Sequence, residues 1–265
     1  MRRRCHIAAI ALAAALCPGA LRAQYRREPT DTLRYRRAYR TTDEFVSPPG
    51  MRPSWTSKDA TIAIAFRGGD TATVWYEALS SAYPGRSYEG DASVDTVLAR
   101  PWTLRFDPRG RVRGLSGPQF PDYVLEPDID FTDFFLLLPA DFDLAMGRTW
   151  SDTVTSGGSG KEQRILSFKV LGDTNIAGDS AIVIGANQVI RSTGTGPYPG
   201  HPGVIEHSEV AGADSGFFIF STRRGRMLAA RRRGRLDITT SFEGSALSSM
   251  LVARHTYIEA IDPAP

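Results

Sequence analysis

The chain has 265 residues, 42% of them hydrophobic, with 32 Lys and Arg against 29 Asp and Glu, a formal net charge of +3. Four of the basic residues, Arg2, Arg3, Arg4 and Arg22, precede the cleavage point argued below, so 32 − 4 = 28 basic and 29 acidic residues remain, a net charge of −1. A charge this close to zero excludes a general nucleic-acid footprint, and because both cysteines, Cys5 and Cys17, lie in the removed part, no disulfide staples the rest.

The first element is an export signal. Three arginines precede the unbroken apolar run Ile7 to Leu16, which is too short to span a bilayer, and Pro18 and Gly19 end it. Ala23 supplies the small residue that signal peptidase needs, which predicts a leader of residues 1–23 and a mature chain starting at Gln24. Leu16, just before Cys17, is too large for a lipoprotein cleavage site, so a diffusible product in the periplasm or outside the cell is expected. The remaining 265 − 23 = 242 residues are enough to bury roughly 70–75% of their unfolded surface in one domain without a staple.

The mature part reads as strands and turns. Residues 44–59, rich in Pro and Ser, are expected to form a surface loop; Ile62, Ile64 and Phe66 then alternate with polar neighbours, and Arg67-Gly68-Gly69-Asp70 reads as a hairpin turn. Residues 80–92 again read as a loop, followed by the alternating Trp102, Leu104 and Phe106 and the turn Asp107-Pro108-Arg109-Gly110. Beyond the middle of the chain the alternating sets are Leu166, Phe168 and Val170; Ile182, Ile184 and Ala186; and Leu236, Ile238 and Phe242. Turns are expected at Gly172-Asp173-Thr174-Asn175 and Arg223-Arg224-Gly225, and a third loop at residues 192–203. No window sustains helical spacing. The fold class is therefore all-β, an antiparallel, strongly curved sheet or a β-sandwich of about a dozen strands.

Pro121 to Gly147 differs from the rest. It has no basic residue, carries Asp122, Glu126, Asp128, Asp130, Asp133, Asp141 and Asp143, and holds the apolar stretch FFLLLPA at residues 134–140, which is expected to cross from one region of the sheet to another. On either side of it two triplets recur at one offset: Tyr83-Pro84-Gly85 with Tyr198-Pro199-Gly200, and Arg109-Gly110-Arg111 with Arg224-Gly225-Arg226, where 198 − 83 = 224 − 109 = 115. That offset places Trp102 on Phe217 and Leu104 on Ile219. It suggests two duplicated halves, 31–120 and 148–261, against the alternative of chance triplets in a chain rich in Arg and Gly.

Chemistry-bearing clusters are few. Asp128 to Asp133 offers carboxylates to Ca²⁺ but lacks the glycine and closing Glu of an EF-hand loop, and a solvated acidic loop is the default. Seven arginines fall within the 13 residues 223–235; Arg231, Arg232 and Arg233 are the candidate anion site, since guanidinium binds phosphate and carboxylate through paired hydrogen bonds. The simpler alternative is that these side chains point into water or pair with the acidic segment. His201, His207 and His255 have no metal-ligand spacing, and Gly157-Gly158-Ser159-Gly160-Lys161 fits neither a nucleophile elbow nor a phosphate loop, so it is expected to be a hairpin loop. No catalytic residue, cofactor or metal site emerges.

Two resemblances add to this. The segments at residues 136–154 and 172–184 resemble those of uncharacterised secreted bacterial β proteins, through Leu138, Pro139, Gly147, Thr149 and Trp150. Antiparallel strands after a signal peptide are similar in kind to the Lol-type lipoprotein carriers, a resemblance that implies an apolar concavity sheltering acyl chains. Together the readings lead to an exported, non-catalytic envelope protein whose partner is a lipid, another apolar molecule or an envelope protein, with no nucleic acid and no transmembrane segment in the mature chain. The alternatives are a structural module without ligand and an enzyme whose site only the fold assembles. For the carrier, Trp102, Leu104, Phe106, Phe218 and Phe220 are the expected pocket lining.

Overall fold

The computed structural model describes residues 32–47, 52–68, 70–84, 86–90, 100–117, 134–157, 160–176, 178–197, 202–244 and 251–264. The leader, the acidic cluster 128–133 and His201 therefore lie outside the described residues.

Alternation produces strands as expected. The first half supplies β1 (Thr32–Ser47), β2 (Ser54–Phe66), β3 (Thr71–Tyr83), β4 (Arg86–Gly90), β5 (Trp102–Phe106) and β6 (Val112–Ser116). The second supplies β7 (Thr149–Gly157), β8 (Gly160–Ile176), β9 (Asp179–Pro197), β10 (Ile205–Ser221), β11 (Arg226–Glu243) and β12 (Leu251–Pro263). They form one antiparallel sheet in the order β6-β5-β3-β2-β1-β12-β11-β10-β9-β8-β7, with β4 paired to β3. The chain thus starts in the middle, meanders to one edge, crosses to the opposite edge, and meanders back until β12 pairs with β1. The crossing is made by residues following Phe134, the apolar stretch expected to do so.

The sheet is an all-β curved sheet, and its curvature has local causes. Register shifts at Phe45/Ser47, Thr61/Ile62, Arg105/Phe106, Val170/Gly172 and Ile219/Phe220 each bend a strand. On the inner face of β10 and β11 there is no room for a side chain at certain points: a Cβ on Gly216 would lie 2.0 Å from the carbonyl oxygen of Arg231, and one on Gly212 would lie 2.2 Å from that of Arg235. Glycine is required there because the backbones approach so closely.

Inside the curve lies the core. Ile62, Ile64, Phe66, Val74, Leu104, Phe106, Ile184, Phe220 and Ile261 point inward and are buried. Against them pack Phe134, Phe135, Leu136, Leu137 and Leu138 of the crossing segment, so this segment fills the concavity. The Phe135 ring lies 5.0 Å from that of Phe106, and the Phe134 ring 5.6 Å from that of Tyr35. The Tyr35 hydroxyl donates to the Met227 carbonyl at 2.7 Å, and burial holds its phenol well above the ordinary tyrosine range against the opposing pull of Arg226.

The two edges of the sheet meet through side chains. Arg109, in the β5–β6 turn, reaches Asp152 of β7 at 3.1 Å, and Arg111 pairs with the same carboxylate. The Leu138 amide donates to the Arg109 carbonyl at 2.8 Å, Arg109 Nε returns a bond to the Leu138 carbonyl at 2.8 Å, and Trp150 Nε1 donates to the Leu137 carbonyl at 2.9 Å. Among the described residues no backbone ladder joins β6 to β7.

Four expectations need correction. The loops expected at 44–59, 80–92 and 192–203 are much shorter, because β1, β2, β3, β4 and β9 continue into them, and Gly172 to Asn175 remain paired to β9 through Ile176. The reason is common to all four: ladder hydrogen bonds need only an amide and a carbonyl, so Ser, Thr and Gly extend a strand beyond the part whose side chains are packed. The turn after β8 instead contains Gly178, at φ 78°, its amide donating to Asn175 Oδ1 at 3.0 Å. The tips at Gly110 and Gly225 do share a positive φ in hairpins, but Phe217 and Ile219 face outward, whereas Trp102 and Leu104 face inward, so the proposed residue correspondence does not hold.

Candidate ligand cavity and its polar boundary

The register aligns inward-facing residues in rows across the sheet. One row runs Trp150, Phe168, Ala186, Gly216, Arg232, Glu259 and Tyr39, each directly opposite the next. The adjoining row, farther from the core, runs Asp152, Leu166, Gln188, Asp214, Gly234, Tyr257 and Thr41. The inner face thus changes from apolar to polar within two rows.

At this boundary the crossing segment and the sheet form a half-open cavity of about 380 Å³. Its apolar walls are Val112, Phe135, Leu137, Leu166, Phe168 and Phe218. Phe168 is held in place by Trp150, whose ring stacks on it at 5.1 Å with 17° between the planes, and Phe218 approaches Phe168 from β10 at 6.5 Å. The volume falls within the ~300–1,000 Å³ of small-molecule sites.

A charged layer borders the cavity. Arg37 pairs with Glu259 at 2.5 Å, Arg232 reaches Glu259 at 3.5 Å and Asp214 at 2.8 Å, and the Tyr257 hydroxyl donates to Asp214 at 2.6 Å. Arg37, Glu259 and Asp214 are buried, so these charges are retained only because they are mutually paired. Arg164 pairs with Glu162 on β8. At the seam, burial acts to raise the Asp152 carboxyl, but the hydrogen bond from Arg111, that from the Thr153 amide and the charges of Arg111 and Arg109 outweigh it and hold it below the usual range. Two buried donors facing this space have no partner among the described residues: Arg111 Nε and Gln188 Nε2.

Of the five aromatic and aliphatic residues expected to line a pocket, Phe218 does so. Trp102, Leu104, Phe106 and Phe220 are fully packed in the core instead, because the crossing segment occupies the space they would have faced. The three arginines of the candidate anion site are separated by the pleat of β11: Arg232 points inward into the charged layer, while Arg231 and Arg233 border a trough on the outer face. Among the described residues, the arginine cluster pairs with carboxylates of the strands. Arg223 and Arg224 hold Asp179, and Arg231 holds Asp262 at 2.6 Å. The outer trough, of about 1,200 Å³, exposes Leu171, Phe217 and Ile258 beside Lys169, Arg231 and Arg233. Among the described residues no three His, Cys, Asp or Glu converge as metal ligands, and no helix is long and apolar enough to cross a membrane.

Gln188 and Phe168 were missed as site residues. Gln188 continues the inward phase of Ile182, Ile184 and Ala186, and a polar residue in that phase is the signal that would have found it.

No protein-family model matches the chain, and no curated protein does either. Among solved structures it is similar to a chain described as "lipid-protein interactions in lipovitellin", with a TM-score of 0.51 and 11% identity over 91% of this chain. The likeness is one of fold. It covers 26% of the lipovitellin chain, so the present chain spans about a quarter of that protein's length. Two further likenesses, to Pseudomonas aeruginosa OccK2 (OpdF) in complex with glucuronate and to an outer membrane channel from Pseudomonas putida F1, have TM-scores of 0.21 and 0.23 at 8% and 9% identity. They span 89% and 88% of this chain and 99% and 95% of the others, scores too low to compare strand by strand.

Proposed function

We propose that the mature chain is an exported, non-catalytic envelope protein that holds an apolar molecule in the cavity between β7–β10 and the crossing segment. The observation that carries this reading is the cavity itself: about 380 Å³, with Phe135, Leu137, Leu166, Phe168 and Phe218 forming its apolar side. An apolar molecule seated against these side chains would take them and itself out of water. Export is supported by the N-terminal arginines, the short apolar run and Ala23, and sequencing of the exported form should return Gln24 as its first residue.

The test of binding is thermal. A ligand present at 100 times its Kd stabilises by about 2.7 kcal/mol, which for a chain of this size raises Tm by about 5–11 °C. Mature protein should show such a shift with a lipid extract of the producing cell, and mass spectrometry of the bound fraction should identify what is held. No shift with any extract, together with no bound molecule in the purified protein, would remove the ligand reading. The outer trough favours a second reading, docking of an envelope partner on Leu171, Phe217 and Ile258; crosslinking from position 217 in intact cells should then trap a defined protein, and trapping that is independent of position would reject it.

A further inference from the structure

The cavity has an apolar side and a charged side, and two of its donors are idle. Gln188 is 6% exposed, and its Nε2 has no acceptor; the Arg111 side chain is 21% exposed, but its Nε is buried and also lacks one. Leaving a buried donor unsatisfied is costly, so native structures keep few such groups, and two bordering one cavity call for an acceptor. Both line the same space, one from the middle of β9 and one from the end of the β5–β6 turn.

The charge beside them has a sign. Arg109 and Arg111 share the single carboxylate of Asp152, while the neighbouring Arg113 is matched by Asp107. Three guanidiniums thus meet two carboxylates at this corner of the described residues. The other ionisable groups of the lining are matched, Arg232 by Asp214 and Arg164 by Glu162. Among the described residues, one positive charge is left over next to the idle donors.

We infer that the cavity takes a single-chain amphiphile with a monoanionic, acceptor-bearing head, of the fatty-carboxylate class, its chain along Phe135, Leu137, Phe168 and Phe218 and its carboxylate accepting from Gln188 Nε2 and Arg111 Nε. This rests on the cavity being a ligand site, and it adds which end of the ligand is recognised and by which groups. A carboxylate satisfies both donors and balances the surplus charge, whereas a neutral head leaves the charge and a cationic head opposes it.

Displacement of the neutral fluorophore N-phenyl-1-naphthylamine from the mature chain tests this, with dodecanoate, dodecanol and dodecyltrimethylammonium as competitors below their micelle concentrations. Dodecanoate should displace the fluorophore at about a tenfold or lower concentration than the other two. Gln188→Leu, which keeps the volume and deletes the donor, should remove most of that preference while leaving dodecanol unchanged, and Gln188→Glu should disfavour dodecanoate further. Arg40→Gln, whose exposed pairing with Asp59 lies away from both the cavity and the outer trough, should alter none of the three. Should the three heads compete equally in the wild type, head recognition is overturned and the cavity remains a site for apolar molecules. Failure of the fluorophore itself to bind would overturn the cavity reading and this inference with it.

Discussion

Truncating two phenylalanines, one in the filled core and one at the cavity wall, separates a ligand site from an imperfection of packing. Phe220 is fully buried and faces Met227 on one neighbouring strand and Ile182 on the other. Phe220→Ala should cost about 3–5 kcal/mol, which lowers Tm by about 6–20 °C in a chain of this length. Phe168 is nearly as buried, but one of its sides borders the cavity. That side has no partner atoms to lose, so Phe168→Ala should cost less, about 1–3 kcal/mol, while enlarging the cavity and weakening an apolar ligand. Urea unfolding of both variants, with and without N-phenyl-1-naphthylamine, reads both quantities. Equal losses of stability, with fluorophore binding unaffected by Phe168→Ala, would mean that Phe168 is ordinary core and that the cavity does not bind at this wall.

Three further outcomes follow from the charged layer and the seam. Because the Asp152 carboxyl lies below its unfolded value of about 3.9, its stabilisation is complete above that pH and is lost as pH falls through the folded value; the stability difference between wild type and Asp152→Asn should therefore shrink on acidification below about pH 4, and a difference constant from pH 7 to pH 2 would contradict the pairing. Glu259→Gln removes the carboxylate shared by Arg37 and Arg232 and should cost about 3–5 kcal/mol in chemical denaturation. A Cβ at Gly234 would lie 2.5 Å from the Tyr257 ring and 2.8 Å from Asp214 Cβ, so Gly234→Ala should destabilise by about 1–3 kcal/mol and disturb the Tyr257–Asp214 bond, visible as a changed tyrosine ultraviolet spectrum.

The parts of the fold legible in the sequence are those where one face is packed and the other wet. Ile62, Ile64 and Phe66, or Trp102, Leu104 and Phe106, alternate because they sit over the core. Beyond the core the same strands carry polar residues on both faces, so periodicity vanishes although pairing continues, and loops were expected where β1 and β9 run on. Phe217 to Phe220 is ambiguous for the opposite reason: four apolar residues in succession serve an inner core and an outer trough, and no phase can be read from them. The site was less legible still. Asp152, Gln188 and Asp214 meet in one row only through the register of four strands, which no local pattern encodes. Packing of the crossing segment against Phe106 is equally non-local, and it turned an expected pocket wall into core.

The place where the β5–β6 turn meets β7 is held by different forces from the rest of the sheet. β6 and β7 are the two edges of an open sheet, and among the described residues the β5–β6 turn reaches β7 through the Asp152 ion pairs, while Leu137 and Leu138 of the crossing segment bond to Trp150 and Arg109. Arg111 and Val112 on one side of this meeting place, and Val154 on the other, also line the cavity. Among the described residues, parting the two edges would break the two Asp152 ion pairs and a few hydrogen bonds while leaving the strand ladders intact. On the ligand reading, losing the Asp152 pairs should both lower stability and ease the parting of these edges, so Asp152→Asn should exchange a bound apolar probe faster than wild type.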